Sequence, residues 1–462
     1  MKASSYQKTI KNLWQRHNEE FTFILLMIIF TAYASYIALN LEVGIIPDEI
    51  THFDFSKQFA TTFGIPPELP DAYNYGVYIT QSPYLYYWIN GRIINIATLF
   101  SPSSSDWQLL TTLRLVSVLF SLGTVIFSYL FSKEFIKHKW WQLLPSFFLT
   151  NTLMFVFLAG GVNYDNLTNL FCFAGLYFLA RVFNNRSFFI NSLAWMICIA
   201  LGSLTKYTVL PLALAMGIAW IVFFIRNRKN ILPIRINKGT DLVLLLILLL
   251  LLLGNLSIYG YNLFTYNALL PECEDIFIEE LCRFDLFNLR MEKYGVGGKL
   301  TIPESIKFGH PNPVEYFFQW IITIINNIFG IGSHKIYKTL ERFILHSFLL
   351  LWIFAIVIIN KTYLKTKYLY FIIIFLFYSL TLFFYNYSHE LTSGFANFAI
   401  HGRYLFPVIG ILFTAMGKGI MKITDERIRK ITLIFAILLY FFTGPLTFIY
   451  RYNTVFVDWF VR

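Results

Sequence analysis

Apolar runs of about twenty residues, separated by short polar or charged clusters, recur along the whole chain. Wound as helices, runs of that length cross a hydrocarbon core about 30 Å thick. Eleven are predicted to do so, at residues 21–41, 109–132, 140–160, 166–182, 188–204, 207–225, 241–261, 341–359, 368–386, 404–417 and 431–449. A twelfth, 84–101, carries Asn90, Arg92 and Asn95 within the apolar pattern, so it is predicted to lie at the interface or re-enter. The expected fold is an all-α polytopic membrane protein of about 11 transmembrane helices.

Sidedness follows from the basic residues, which collect in cytoplasmic loops. With the N-terminus inside, the inner segments are 1–20, 133–139, 181–187, 226–240, 360–367 and 418–430. Together they hold 22 of the 37 lysines and arginines, so the expected topology is N-in and C-out. The first apolar run continues past Ala32-Tyr33-Ala34, its one cleavage-like triplet, so this helix is expected to stay rather than be removed as a signal peptide.

Composition agrees. Hydrophobic residues make up 57% of the 462 and charged residues 14%, against roughly a quarter charged in a soluble domain. The net charge of +11 is accounted for by basic loops facing anionic headgroups, so no nucleic-acid partner is implied. Two cysteines, Cys172 and Cys198, fall inside spans and suit packing. Cys273 and Cys282 share one external loop, where oxidising conditions permit a disulfide, the alternative being two free thiols.

Two external segments are long: 42–108, including the interfacial helix, and 261–340. They divide the chain into an N-terminal transmembrane module (1–260), a large external loop (261–340) and C-terminal transmembrane helices (341–462). The leucine run Leu244–Leu253 carries no chemistry, and no internal repeat, heptad or glycine-rich nucleotide loop is evident. Within 261–340, the acidic stretch Glu272–Glu280 and Gly295-Val296-Gly297-Gly298 suit a lid with a flexible joint or a plain turn.

Ionisable groups near a bilayer are costly and call for an explanation. Asp48, Glu49, His52, Asp165, Lys206, His401 and Arg403 all fall on the predicted external side or at the outer ends of spans. Carboxylates and cations at one level suit an anionic, phosphorylated ligand with an acid at hand. Each also has a plainer explanation. Pro47 can start a helix whose first turn holds Asp48 and Glu49, Asn163-Tyr164-Asp165-Asn166 can be a polar turn, and Lys206 and Arg403 can contact lipid headgroups.

Together these segments resemble a known superfamily. Asp48-Glu49 after the first span resembles the first-loop acidic motif of GT-C glycosyltransferases, multi-span enzymes that use polyprenyl-phosphate-linked sugars. Pro47-Asp48-Glu49 with His52-Phe53, Asn163-Tyr164-Asp165, and Gly402-Arg403-Tyr404-Leu405 with Pro407 look most like the DUF2142 membrane proteins of bacteria. Ser82-Pro83-Tyr84-Leu85-Tyr86-Tyr87-Trp88 resembles a segment of the protein mannosyltransferase and aminoarabinose transferase branches, with Ser82 in place of a proline. Leu204-Thr205-Lys206 resembles their Leu-Thr-Lys-Gly element, with Tyr207 in place of glycine. The likeness runs from residue 1 to about 410 in the same order, on short and degenerate motifs.

The resemblance implies a GT-C-like fold and an inverting glycosyltransferase, with a lipid-phosphate sugar donor and an acceptor that reaches the site from outside. By carry-over Asp48 is the base, Glu49 and Asp165 complete the catalytic carboxylates, and Lys206 and Arg403 neutralise the leaving phosphate. His52, His401, Tyr404 and Tyr87 are expected substrate-binding residues. Some members hold a divalent metal such as Mg or Mn between loop carboxylates and others do not; the ligands here would be Asp48 and Asp165. The implied setting is a bacterial inner membrane with the site facing the periplasm, the acceptor being a glycan, lipid or protein. Two alternatives are a polysaccharide polymerase or ligase, which would tolerate loss of Asp48, and a transporter of lipid-linked glycans, whose charges should sit at the midplane.

Overall fold

A computed structural model describes residues 2–68, 78–231, 239–282, 301–307, 309–329, 347–348, 366–393, 400–452 and 459. They wind into α1 (Lys2–Asn40), α2 (Glu49–Ala60), α3 (Leu85–Phe100), α4 (Asp106–Lys133), α5 (Leu144–Thr150), α6 (Leu153–Ala159), α7 (Asp165–Phe183), α8 (Phe188–Thr205), α9 (Val209–Ile231), α10 (Thr240–Asn255) and α11 (Tyr261–Tyr266). After two single-turn helices, α12 (Cys273–Ile276) and α13 (Glu279–Cys282), come α14 (Ile302–Lys307), α15 (Pro313–Phe329), α16 (Tyr368–Ser393), α17 (Phe406–Met421), α18 (Glu426–Thr443) and α19 (Pro445–Tyr452).

Among the described residues nine helical stretches are long and apolar enough to cross a membrane, and a tenth span arises if α5 and α6 are one. They cover ten of the eleven predicted spans. The eleventh, 341–359, lies outside the described residues except for positions 347–348. The run 140–160, predicted as one straight helix, is instead bent by 70° between α5 and α6. The cause is local: Thr150, Asn151 and Thr152 turn their side chains back onto the carbonyls of Ser146, Phe147 and Phe148 at 2.8–2.9 Å. Such side-chain bonds compete with the helical ladder and interrupt it.

Burial sorts the spans. The broken pair is buried among phenylalanines, including Phe148, Phe155 and Phe157 at 0–1% exposure. In contrast, α10 turns Leu246, Leu249, Leu250 and Leu253 outward, as a helix wetted by lipid chains requires.

Two non-spanning pieces position the site. Segment 84–101, expected at the interface, forms α3 and packs on α2 at very short range. A Cβ on Gly91 would meet the backbone of Phe59 at 2.7 Å, so only glycine fits. Arg92 donates to the Phe59 and Thr62 carbonyls at the end of α2, satisfying orphan acceptors there. The second piece, α15, comes from the large loop and is an amphipathic helix. It meets the turn before α17 so closely that a Cβ on Gly402 would approach Ile328 N at 2.7 Å.

Candidate functional site

Four chain turns converge at one end of the bundle, each bringing one charge. Asp48 is the N-cap of α2 and sits at φ 60°, ψ 13°, in the left-handed region that non-glycine residues rarely adopt. Asp165 opens α7, where the positive helix end favours a carboxylate, and Lys206 caps the C-terminus of α8, where a cation is favoured. Arg403 lies in the short turn Gly402–Leu405 ahead of α17.

The charges form one chain of contacts. Lys206 Nζ lies 2.5 Å from Asp165 Oδ1, Arg403 Nε 3.6 Å from Asp165 Oδ2, and Arg403 Nη2 2.6 Å from Asp48 Oδ2. Three of the four are buried, whereas the Asp48 side chain is 47% exposed and forms the open side. Lys206 Nζ also stands over the rings of Tyr164 and Tyr404 at 4.3 and 4.6 Å, so its charge is held by two π faces and one carboxylate.

The cluster is not saturated. Arg403 Nε and Nη1, Asp165 Oδ2 and His52 Nε2 are buried without hydrogen-bond partners among the described residues. Buried polar atoms are almost always paired, so these four leave the cluster with capacity for a further polar partner, water or ligand. His52 is tied through Nδ1 to the Tyr87 hydroxyl at 2.9 Å and meets the Tyr164 ring edge-on at 4.4 Å. Burial, with the neighbouring Arg403 and Lys206, outweighs the pull of Asp48 and Asp165 and lowers its pKa to about 4, so the imidazole is neutral at pH 7.

Glu49 faces the other way. Both its oxygens are taken by Arg114, Oε1 by Nε at 2.8 Å and Oε2 by Nη2 at 2.6 Å, with both side chains at 0% exposure. Backbone N–H groups of Val162 and Gly44 donate to the same carboxylate at 3.2 and 3.4 Å. The Arg114 guanidinium in turn donates to the carbonyls of Ala38, Leu41 and Glu42 at the end of α1. This pair fastens α1, α4, the Val162 turn and the start of α2 together. Asn163 adds a bond to the Pro47 carbonyl at 3.0 Å and holds the Asp165 N–H at 2.8 Å, so the turn carrying one acid fixes the loop carrying the other.

Of the residues expected from sequence, Asp48, Asp165, Lys206, Arg403 and Tyr404 are brought into contact, with His52 and Tyr87 beside them through Tyr164. His401 is at the edge, its ring 6.0 Å from Tyr404. Glu49 adjoins the cluster in sequence but is engaged by Arg114. Cys273 and Cys282 are joined by a disulfide with Cα atoms 5.6 Å apart, in a separate cluster with Tyr78. The acidic stretch Glu272–Glu280 lies within the described residues, while the glycine cluster at 295–298 lies outside them.

Arg114 was missed in the sequence, although an arginine near one end of an apolar span is itself a costly and therefore informative residue. In the sequence Gly402 is only one residue of the Gly402-Arg403-Tyr404-Leu405 motif; its role as a contact surface for α15 needs a partner from a distant loop. Among the described residues no group of three or more His, Cys, Asp or Glu side chains converges to hold a metal ion.

No protein-family model matches the chain, and no curated protein matches its sequence. Solved structures do resemble it in fold. ArnT from Cupriavidus metallidurans, crystallised bound to undecaprenyl phosphate, aligns with a TM-score of 0.50 at 14% identity over 90% of this chain and 63% of that one. An oligosaccharyltransferase from Archaeoglobus fulgidus tethered to an acceptor peptide aligns at 0.49 and 11% identity, over 93% of this chain and 55% of that one. The chain thus spans somewhat less than two thirds of the ArnT chain. Among the described residues the fold is all-helical and polytopic, and it resembles the fold of ArnT.

Proposed function

We propose that the protein is an inverting glycosyltransferase that moves a sugar from a polyprenyl-phosphate donor to an acceptor at the outer face of a bacterial inner membrane. One observation carries the proposal: a buried arginine with two nitrogens that make no hydrogen bond, next to a buried lysine, faces a half-exposed aspartate held in a strained backbone conformation. The finer likeness to the DUF2142 proteins rests on the motifs alone.

The reaction needs a phosphate clamp and a base. The donor phosphate, arriving from the lipid side, takes hydrogen bonds from Arg403 Nη1 and Nε and competes with Asp48 for Nη2. Charge-assisted, bidentate contacts of this kind are the strong ones for phosphate. Asp48 is then released from its ion pair and accepts the proton of the acceptor nucleophile. That nucleophile attacks the anomeric carbon on the face opposite the leaving group, the bond from anomeric carbon to phosphate oxygen breaks, and configuration inverts. Negative charge grows on the departing lipid phosphate, where Arg403 and Lys206 stabilise it most.

Asp165 keeps Lys206 and Arg403 in register. His52, neutral and accepting from Tyr87 at Nδ1, carries its remaining proton on Nε2 and offers a hydrogen bond to the donor. The carboxylates of Asp48 and Asp165 fit a divalent metal poorly, because each already faces a fixed cation at 2.5–2.6 Å; no step here runs through one.

The test is to incubate the purified protein with polyprenyl-phosphate sugars and a panel of glycan, lipid and peptide acceptors, comparing wild type with Asp48→Asn. Transfer by wild type and its loss in the variant are expected; undiminished transfer by Asp48→Asn would remove Asp48 as the base.

A further inference from the structure

A second site stands at the other end of the bundle. A cavity of about 390 Å³ is lined by His138, Trp141, Met421, Arg429, Lys430 and Leu433. These come from two segments far apart in sequence, the turn after α4 and the end of α17 with the first two turns of α18. Met421 ends the span that the Arg403 turn begins, 18 residues earlier, so at 1.5 Å per residue the cavity lies about 27 Å along the helix from the Arg403 cluster. That distance is close to a hydrocarbon thickness and makes the two sites independent.

The lining is mixed. Trp141, Met421 and Leu433 are apolar, and His138, Arg429 and Lys430 bring an imidazole, a guanidinium and an ammonium group to its rim. Arg429 Nη1 donates to the Ile423 carbonyl at 3.4 Å, which anchors one end of the guanidinium beside the cavity. Lys430 pairs with Glu426 at 2.8 Å, both side chains being about two-thirds exposed. An exposed pair of this kind is worth little and yields readily to a phosphate. The other nearby acid, Asp425, is committed to capping α18 through the N–H groups of Arg427 and Ile428.

The surroundings point to lipid. Beside the cavity, α18 turns Ile428, Ile431 and Ile434 outward, each more than half exposed, as a stripe at three-residue spacing. Trp140, next to the lining residue Trp141, is also exposed at 46%, and exposed tryptophans favour a membrane interface. A ligand with a phosphate at the basic rim and hydrocarbon continuing along this stripe satisfies every surface.

We infer that this cavity binds the phosphate headgroup of an anionic membrane lipid. The basic rim takes the phosphate, and Trp141 and Leu433 take the first methylenes of its chains.

The test uses the full-length protein, delipidated in neutral detergent and offered phosphatidylglycerol, phosphatidylcholine or inorganic phosphate, with bound molecules counted by native mass spectrometry. Phosphatidylglycerol is expected to be retained over phosphatidylcholine. The double variant Arg429→Gln/Lys430→Gln should lower that retention by about tenfold or more, since two cationic side chains facing the headgroup are lost. Binding of inorganic phosphate alone, lost in the same variant, would support the basic rim as a phosphate site with a free anion as the source. Equal phosphatidylglycerol retention in wild type and variant would overturn the inference. Should the variant unfold, wild type is crosslinked instead with a photoreactive phosphatidylglycerol headgroup. Adducts on the peptides around 138–141 and 429–433 support the site, and adducts only elsewhere refute it.

Discussion

Asp48 and Glu49 are neighbours in sequence, both acidic, both paired with an arginine, and they have opposite fates. Glu49 and Arg114 are sealed at 0% exposure, with both carboxylate oxygens and three guanidinium nitrogens engaged. Asp48 and Arg403 are joined by one short contact, with the acid half in solvent and two guanidinium nitrogens, Nε and Nη1, making no hydrogen bond among the described residues. A saturated ion pair has nothing left to offer a ligand. It holds α1, α2 and α4 at fixed spacing, so that the unsaturated pair next to it is presented in one geometry. Asp48 also sits at φ 60°, whereas Glu49 begins the regular helix α2.

The sharpest way to break this comparison is to exchange the effects. Asp48→Asn should reduce transfer by roughly 10²–10⁴-fold, the range for a lost general base, with the unfolding transition nearly unmoved; steady-state assays and thermal unfolding in detergent check both halves. Glu49→Gln should do the reverse. It leaves Arg114 buried without its counter-charge and destabilises by about 3–5 kcal/mol, read as a fall in the unfolding midpoint. Undiminished stability in Glu49→Gln would erase the distinction between the two acids.

A smaller effect is expected from Gly402→Ala. The new methyl would press on the Ile328 backbone at 2.7 Å, which cannot yield as a side-chain tip can, so the turn carrying Arg403 must move. A destabilisation of about 1–3 kcal/mol should accompany a raised KM for the lipid donor. Glycine at 402 matters here for close approach and not for an unusual φ.

The smallest effect concerns pH. His52 is shifted down to about 4 in the folded protein from an ordinary 6.5, so between those values the unfolded chain binds a proton that the folded one refuses. Stability is therefore full above about pH 6.5 and declines as pH falls toward 4. His52→Gln should flatten that limb of an unfolding-midpoint profile, and an unchanged slope would mean that the imidazole is not held neutral.

Much of the fold was legible because membrane spans announce themselves by length and polarity alone. Ten of the predicted spans match described helical stretches, and α3 was separable from them by Asn90, Arg92 and Asn95. The bend between α5 and α6 was not legible, since Thr150-Asn151-Thr152 inside an apolar run is compatible with a helix until its side chains choose the backbone. For the site, the sequence supplied Asp48, Asp165, Lys206 and Arg403 from their outer-end positions and the resemblance. It grouped Glu49 with them from the same outer-end position and the Asp48-Glu49 motif, which say nothing of a partner such as Arg114.

By itself the sequence determined which segments enter the membrane and which charged residues stand at their ends, because the penalty for burying a charge in hydrocarbon acts on each segment separately. Pairing belongs to the tertiary structure. Whether Glu49 serves chemistry or scaffold depends on Arg114, 65 residues away, and Arg403 reaches Asp48 across 355 residues. Hydrogen bonds are short-ranged and directional, so which carboxylate is saturated and which is left open is decided only when the helices pack.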